Sequence, residues 1–210
     1  MNFKSFLCNT IMKLIAYLII FLEGGALLSY ELMAAKMYTP HVGSTLYVWT
    51  SILTLTLVSL AISYRLSQFF IDKRLWKILP ISLLIAGLYI LLLVFTRNEI
   101  LALTYHMELK SASIFTGIVL LFIPILCMGI TSPMISSKLA SFEQTADNKQ
   151  SVGNSAGMIY GIGTLSGVLL TLLCLFVLMP TIGVNFVIVI LAFMLILSGV
   201  LSYFLIKKTA

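Results

Sequence analysis

Apolar residues come in long unbroken runs along this chain. They show neither the alternation of a half-buried strand nor the single stripe of a soluble helix. Six runs stand out, at roughly 14–36, 44–64, 78–96, 112–136, 155–179 and 182–206. About 20 consecutive apolar residues suffice to cross a bilayer's hydrocarbon core, so each run predicts a membrane-spanning helix. Only the turn "PTIG", Pro180 to Gly183, separates the last two, which predicts an antiparallel hairpin. The expected fold is all-α, a single polytopic domain over 1–210 with six transmembrane helices. Such a topology permits two inverted three-helix halves, as in transporters, although no sequence repeat links them.

Composition supports that reading. Of the 210 residues, 60% are hydrophobic and 10% charged. A soluble domain is nearer half apolar and a quarter charged. The net charge of +6 does not point to nucleic acid, because no basic run is interleaved with aromatic residues. It points to lipid. One side of the expected topology holds Lys4, Lys13, Arg65, Lys73, Arg74, Lys77, Lys138, Lys149, Lys207 and Lys208; the other holds Lys36, Arg97 and Lys110. By the positive-inside rule both termini are expected in the cytoplasm and the chain in the inner membrane. The basic start "MNFKSFLCNTIMK" resembles a signal peptide's n-region, but the apolar run after it is long and has no A-x-A site. It is read as a retained span.

The polar residues inside the runs are the candidate chemistry. Glu23 falls near the middle of the first span and Glu31 eight residues further out. A charged side chain at a helix centre costs about 2.5–3.5 kcal/mol on insertion scales. Each acid is therefore expected to be paired, protonated or in contact with water. Eight residues amount to a net turn of about 80° and about 12 Å of rise, so both acids can face one crevice. Lys36 is placed to snorkel outward while leaning back toward Glu31. The alternative is that both acids only hydrogen-bond neighbouring helices. Gly24 and Gly25 weaken the helix beside Glu23 and permit close approach of a ligand or another backbone.

Small residues mark the fifth span. Gly153, Gly157 and Gly161 follow G-x-x-x-G spacing, and Gly163 and Gly167 repeat it on another face. Both sets are read as helix-packing positions. Tyr160 brings a hydroxyl into the same span. In the fourth span, Pro124 and Pro133 each remove a donor, and Thr131 and Ser132 are expected to satisfy the freed carbonyls. The loop "RLSQFFIDKRLWK" is read as a short interfacial segment, and the polar stretch at 137–154 as either a plain solvated loop or the docking loop for a cytosolic partner. Cys8, Cys127 and Cys174 lack metal-ligand spacing, and His41 and His106 are lone loop histidines. No metal or cofactor is expected.

Several segments carry a family resemblance. "ALLSYELMAAKMYTPHVGSTLYVWTSILTLTLVSLAISY" resembles the opening of the membrane domains of spermidine synthase-like proteins. Tyr30, Glu31 and Lys36 match its Tyr-Glu pair and following basic residue. Gly43, Ser44, Tyr47 and Trp49 match its next span, with Thr45 in place of a serine. "MGITSPMI" resembles a later Gly-x-x-x-Pro segment, and "VGNSAGMIYGIGTLSGVLLTLLCLFVLMPTIGVN" its Gly-rich helix, Pro-x-x-Gly turn and final helix. Residues 65–110 match least. The family's aminopropyltransferase-like domain has no counterpart here, so that chemistry is not expected of this chain.

The resemblance implies a transporter-like membrane module. Its expected cargo is a small cationic metabolite such as a polyamine. Glu23 and Glu31 would neutralise ammonium groups, and Tyr30, Tyr47, Trp49 and Tyr160 would add cation–π contacts. Six spans are few for transport, so a homo-oligomer or a protein partner is expected. The alternative is a non-catalytic membrane subunit assembling through the glycine-rich helix and the 137–154 loop. No nucleophile–base pair or carboxylate cluster suggests an enzyme.

Overall fold

The computed structural model describes the backbone of residues 3–143 and 149–209, without the side chains of 3–10, 38, 40–42, 105, 142–155 and 208–209. The described chain is helical throughout, with no strand. The elements are α1 (Phe3–Val42), α2 (Leu46–Asp72), α3 (Ile78–Ala102), a 3-10 turn (Leu103–His106), α4 (Leu109–Gly117), α5 (Ile123–Gly129), α6 (Thr131–Glu143), α7 (Lys149–Leu173) and α8 (Met179–Thr209). Two π-helical segments, Ile118–Phe122 and Cys174–Leu178, join α4 to α5 and α7 to α8.

Among the described residues five stretches, rather than the expected six, are long and apolar enough to cross a membrane. The difference lies in the last, Ala156–Lys207, which runs for 52 residues. The expected break falls inside it, because Gly183 has φ 81° and ψ 162°, outside any helical region. A straight helix of that length would reach about 78 Å, far beyond a hydrocarbon core of about 30 Å. The chain bends at Gly183 instead, and α7 and α8 both pack on α1.

Other boundaries differ from the sequence expectation. The "RLSQFFID" stretch is the end of α2 rather than a separate interfacial segment, which leaves a short connection to α3. A helix keeps its backbone bonds as it leaves the apolar region, so amphipathic composition alone does not end it. Gly43, at φ 82°, ends α1 with its N–H bonded to the Thr39 carbonyl at 3.0 Å, the left-handed stop that glycine permits.

The bundle is organised around α1. α1 packs against α7 and α8, α8 lies along α3, and α2 meets the broken fourth stretch. Ile19, Ile20, Met33, Leu83, Ile90 and Leu121 are fully enclosed. Outside, Leu14, Leu57, Phe95, Phe176 and Phe186 are widely exposed. Apolar side chains thus lie outside as well as inside, which suits a surface bathed in acyl chains.

Close packing of α2 rests on small polar residues. Ser59, Ser63 and Ser67 are four apart and buried, and each hydroxyl bonds a carbonyl three or four residues back on its own helix. Leu60 and Ser63 press against Gly129 of α5, where any added Cβ would collide. The seam sets side chains of α2 directly on the bare backbone at Gly129, the close approach that small residues permit.

Candidate functional site

Glu23 is 2% exposed, inside the bundle. It faces Ser132 of α6, whose hydroxyl donates to the Glu23 carboxylate at 3.5 Å, the outer limit of a hydrogen bond. Tyr64 of α2 and Tyr160 of α7 are close enough to interact with it electrostatically and with each other. Among the described residues Glu23 has no cationic partner. A carboxylate offers about four acceptor positions, and among the described residues one long bond engages them.

The glycine pair explains how an acid reaches this depth. A Cβ on Gly24 would stand 2.6 Å from the Gly163 carbonyl oxygen, and one on Gly25 would overlap the Leu170 side chain. A Cβ on Gly167 would overlap Leu28 and come 3.2 Å from the Gly24 carbonyl oxygen. Bare backbones of α1 and α7 therefore touch beside Glu23. The pair serves close helix packing, and α1 continues as helix through it.

Glu31 is 9% exposed and sits beside Thr56 of α2. The Thr56 hydroxyl is buried and makes no hydrogen bond of acceptable geometry among the described residues. Lys36 makes no ion pair with Glu31 among the described residues. It lines a cavity of about 460 Å³ with Arg97 and the Gly183–Phe186 segment. Five residues carry Lys36 well around the helix from Glu31, and snorkelling takes its ammonium outward. Neither acid lines any of the four cavities described.

The expected aromatic residues do not gather around the acids as a set. Tyr30 is fully buried, and its hydroxyl donates to the Leu120 carbonyl at 2.7 Å. Tyr47 and Trp49 are exposed near the start of α2, with the Lys110 ammonium 5.5 Å from the Tyr47 ring. Tyr160 alone lies near Glu23, half exposed. Thr131 and Ser132 do not satisfy carbonyls as expected. The Thr131 hydroxyl is buried without a partner among the described residues, and Ser132 turns to Glu23. The carbonyls before Pro124 are met instead by tyrosines from other helices, Tyr30 and Tyr89, the latter donating to the Val119 carbonyl at 2.8 Å.

The two glycine faces divide. Gly163 and Gly167 are packed on α1, whereas Gly157 and Gly161 are exposed with nothing within 4 Å of an added Cβ. Gly153 shares their helix, but its surroundings lie outside the described residues, as does the core of the proposed docking loop, 144–148.

Sequence reasoning missed Thr56, Tyr64 and Tyr89, and gave Ser132 a different role, that of satisfying carbonyls freed by proline. Tyr64 carried a visible signal, a phenol at the end of an apolar run. Thr56 carried none, and nothing near Ser132 pointed to Glu23, because a hydroxyl in a span usually bonds its own helix. No family model, curated protein or solved structure matches the chain.

Proposed function

We propose that this chain is an integral membrane protein with six crossings and a transporter-like role, taking a small cation to Glu23 and Glu31. The observation that carries the reading is Glu23 itself, 2% exposed and held by one 3.5 Å hydrogen bond. A carboxylate kept at that depth is a functional site by default, since helix packing alone would be served by an amide or an apolar residue. Ser132, Tyr64 and Tyr160 supply oxygen ligands around it, and Thr56 does so beside Glu31. The two acids lie about 12 Å apart along one continuous helix. That spacing suits a polyamine, whose ammonium groups are spread along a flexible chain. The resemblance to spermidine synthase-like membrane domains favours the same cargo. No catalytic step is assigned, and the location proposed is the inner membrane with both termini cytoplasmic.

Radiolabelled spermidine uptake into proteoliposomes tests this. The parent protein is expected to accumulate label above protein-free vesicles, and Glu23→Gln to lower uptake at least ten-fold. A parent that matches empty vesicles overturns the reading.

One observation favours a second reading. Gly157 and Gly161 leave a bare, outward backbone stripe on α7, the surface that another membrane helix packs against. As a membrane subunit, the chain would then purify in mild detergent with a stoichiometric partner. As a homo-oligomeric carrier it would come alone.

A further inference from the structure

Two apolar grooves meet at one lysine at the Lys77/Lys207 end of the bundle. The larger, about 570 Å³, lies between α3 and α8. Pro80, Ile81 and Leu84 form one wall, and Val200, Tyr203 and Phe204 the other. The smaller, about 510 Å³, lies on the other side of Phe204, against Met12 and Ile15 of α1. Lys207 borders both, and Lys77 borders the first.

The geometry gives each groove a polar mouth and an apolar depth. α3 begins where α8 ends, so Lys77 and Lys207 stand at the same level. From Lys207 the wall runs seven residues back to Val200, about 10 Å along the helix. Phe204, 58% exposed, is the ridge between the grooves. Tyr203 stands one turn in from Lys207 with its ring exposed, a position that suits the headgroup level. Among the described residues no carboxylate borders either groove. Lys77 adds its charge to the positive end of the α3 dipole, while the negative end of the α8 dipole offsets part of the Lys207 charge; two ammonium groups against one helix end leave the mouth net positive, which favours an anion.

We propose that this double groove binds one anionic glycerophospholipid. Its two acyl chains straddle Phe204, and its phosphate lies between Lys77 and Lys207. Charge complementarity selects the occupant. Apolar walls alone would accept any lipid, whereas two lysines with no acid beside them select a negative headgroup. The site is at the opposite end of the bundle from Lys36 and Arg97, and it does not depend on the cation-handling reading of Glu23.

Native mass spectrometry of the full chain in detergent, with equal amounts of phosphatidylglycerol and phosphatidylcholine, tests the site. The parent is expected to retain phosphatidylglycerol at least five-fold over phosphatidylcholine. Lys77→Gln/Lys207→Gln is expected to abolish that preference, and Ile81→Trp, filling the larger groove from a half-exposed position, to lower retention of both lipids. Lys36→Gln, at the far end, is expected to keep the preference and reports that general charge is not responsible. Equal retention by the parent overturns the proposal, as does a preference that survives the double substitution. Displacement of the lipid by inorganic phosphate would also overturn it, showing an anion site without a lipid one. A gel-filtration profile matching the parent's establishes that each variant is folded.

Discussion

The Tyr30 hydroxyl donates to the Leu120 carbonyl at 2.7 Å, and Leu120 stands four residues before Pro124. In an α-helix that carbonyl would accept from residue 124, which as proline has no N–H. The chain forms a π segment over Ile118–Phe122 at this point, and in π spacing the Val119 carbonyl would look to the same missing donor. Tyr89 fills that vacancy from α3. Two tyrosines from different helices thus satisfy the two carbonyls that one proline strands, where no water can do so.

Tyr30→Phe should therefore cost about 1–3 kcal/mol, the penalty of a buried acceptor left unsatisfied. In a Pro124→Ala background the new N–H can take the Leu120 carbonyl, and the cost of Tyr30→Phe should fall. A double-mutant cycle read by reversible unfolding in detergent measures this coupling. Strictly additive effects would show that the hydroxyl serves something else, such as a ligand.

Glu23→Gln should separate stability from activity. The amide removes the penalty of a desolvated acid while keeping the shape, so the melting temperature in detergent should equal or exceed the parent's. Spermidine uptake should fall in the same protein. A variant that loses both would mean that the carboxylate holds the bundle together, and a packing role would replace the functional one.

The two glycine faces of α7 should respond oppositely. At Gly24, facing Gly163 of α7, an added methyl meets backbone at 2.6 Å, so Gly24→Ala should destabilise by about 1–3 kcal/mol. Gly161→Ala meets nothing within 4 Å and should leave the melting temperature unchanged. Gly161→Ile, bulkier on the open face, should break any assembly through that face, shifting the molar mass seen by light scattering. An unchanged mass would exclude the stripe as an interface.

Topology can be read at the bend. In a cysteine-free background, Asn185→Cys, just after Gly183, should react with a membrane-impermeant maleimide added outside intact cells. A cysteine at position 207 should react only after permeabilisation. Labelling of both from one side would mean that the last stretch does not cross twice. Gly183→Ala should also be costly, by about 1–3 kcal/mol, since φ 81° with ψ 162° is a backbone region essentially reserved for glycine.

The pattern of apolar runs sufficed for the class of fold and for where most helices lie, because a span is a local property: its length and composition answer to the bilayer rather than to another part of the chain. The "PTIG" turn and the two prolines were legible for the same reason, since φ limits and missing donors act within one turn. Partnership was not legible. That Tyr30 would bond a carbonyl ninety residues away, that Ser132 would turn to Glu23, and that Gly163 rather than Gly161 would meet α1 all depend on how the helices rotate and cross. An apolar helix surface is nearly uniform to lipid, so rotation is decided by which small residues let backbones approach and which buried polar atoms find partners. Those choices involve the whole bundle at once, and only the tertiary structure makes them.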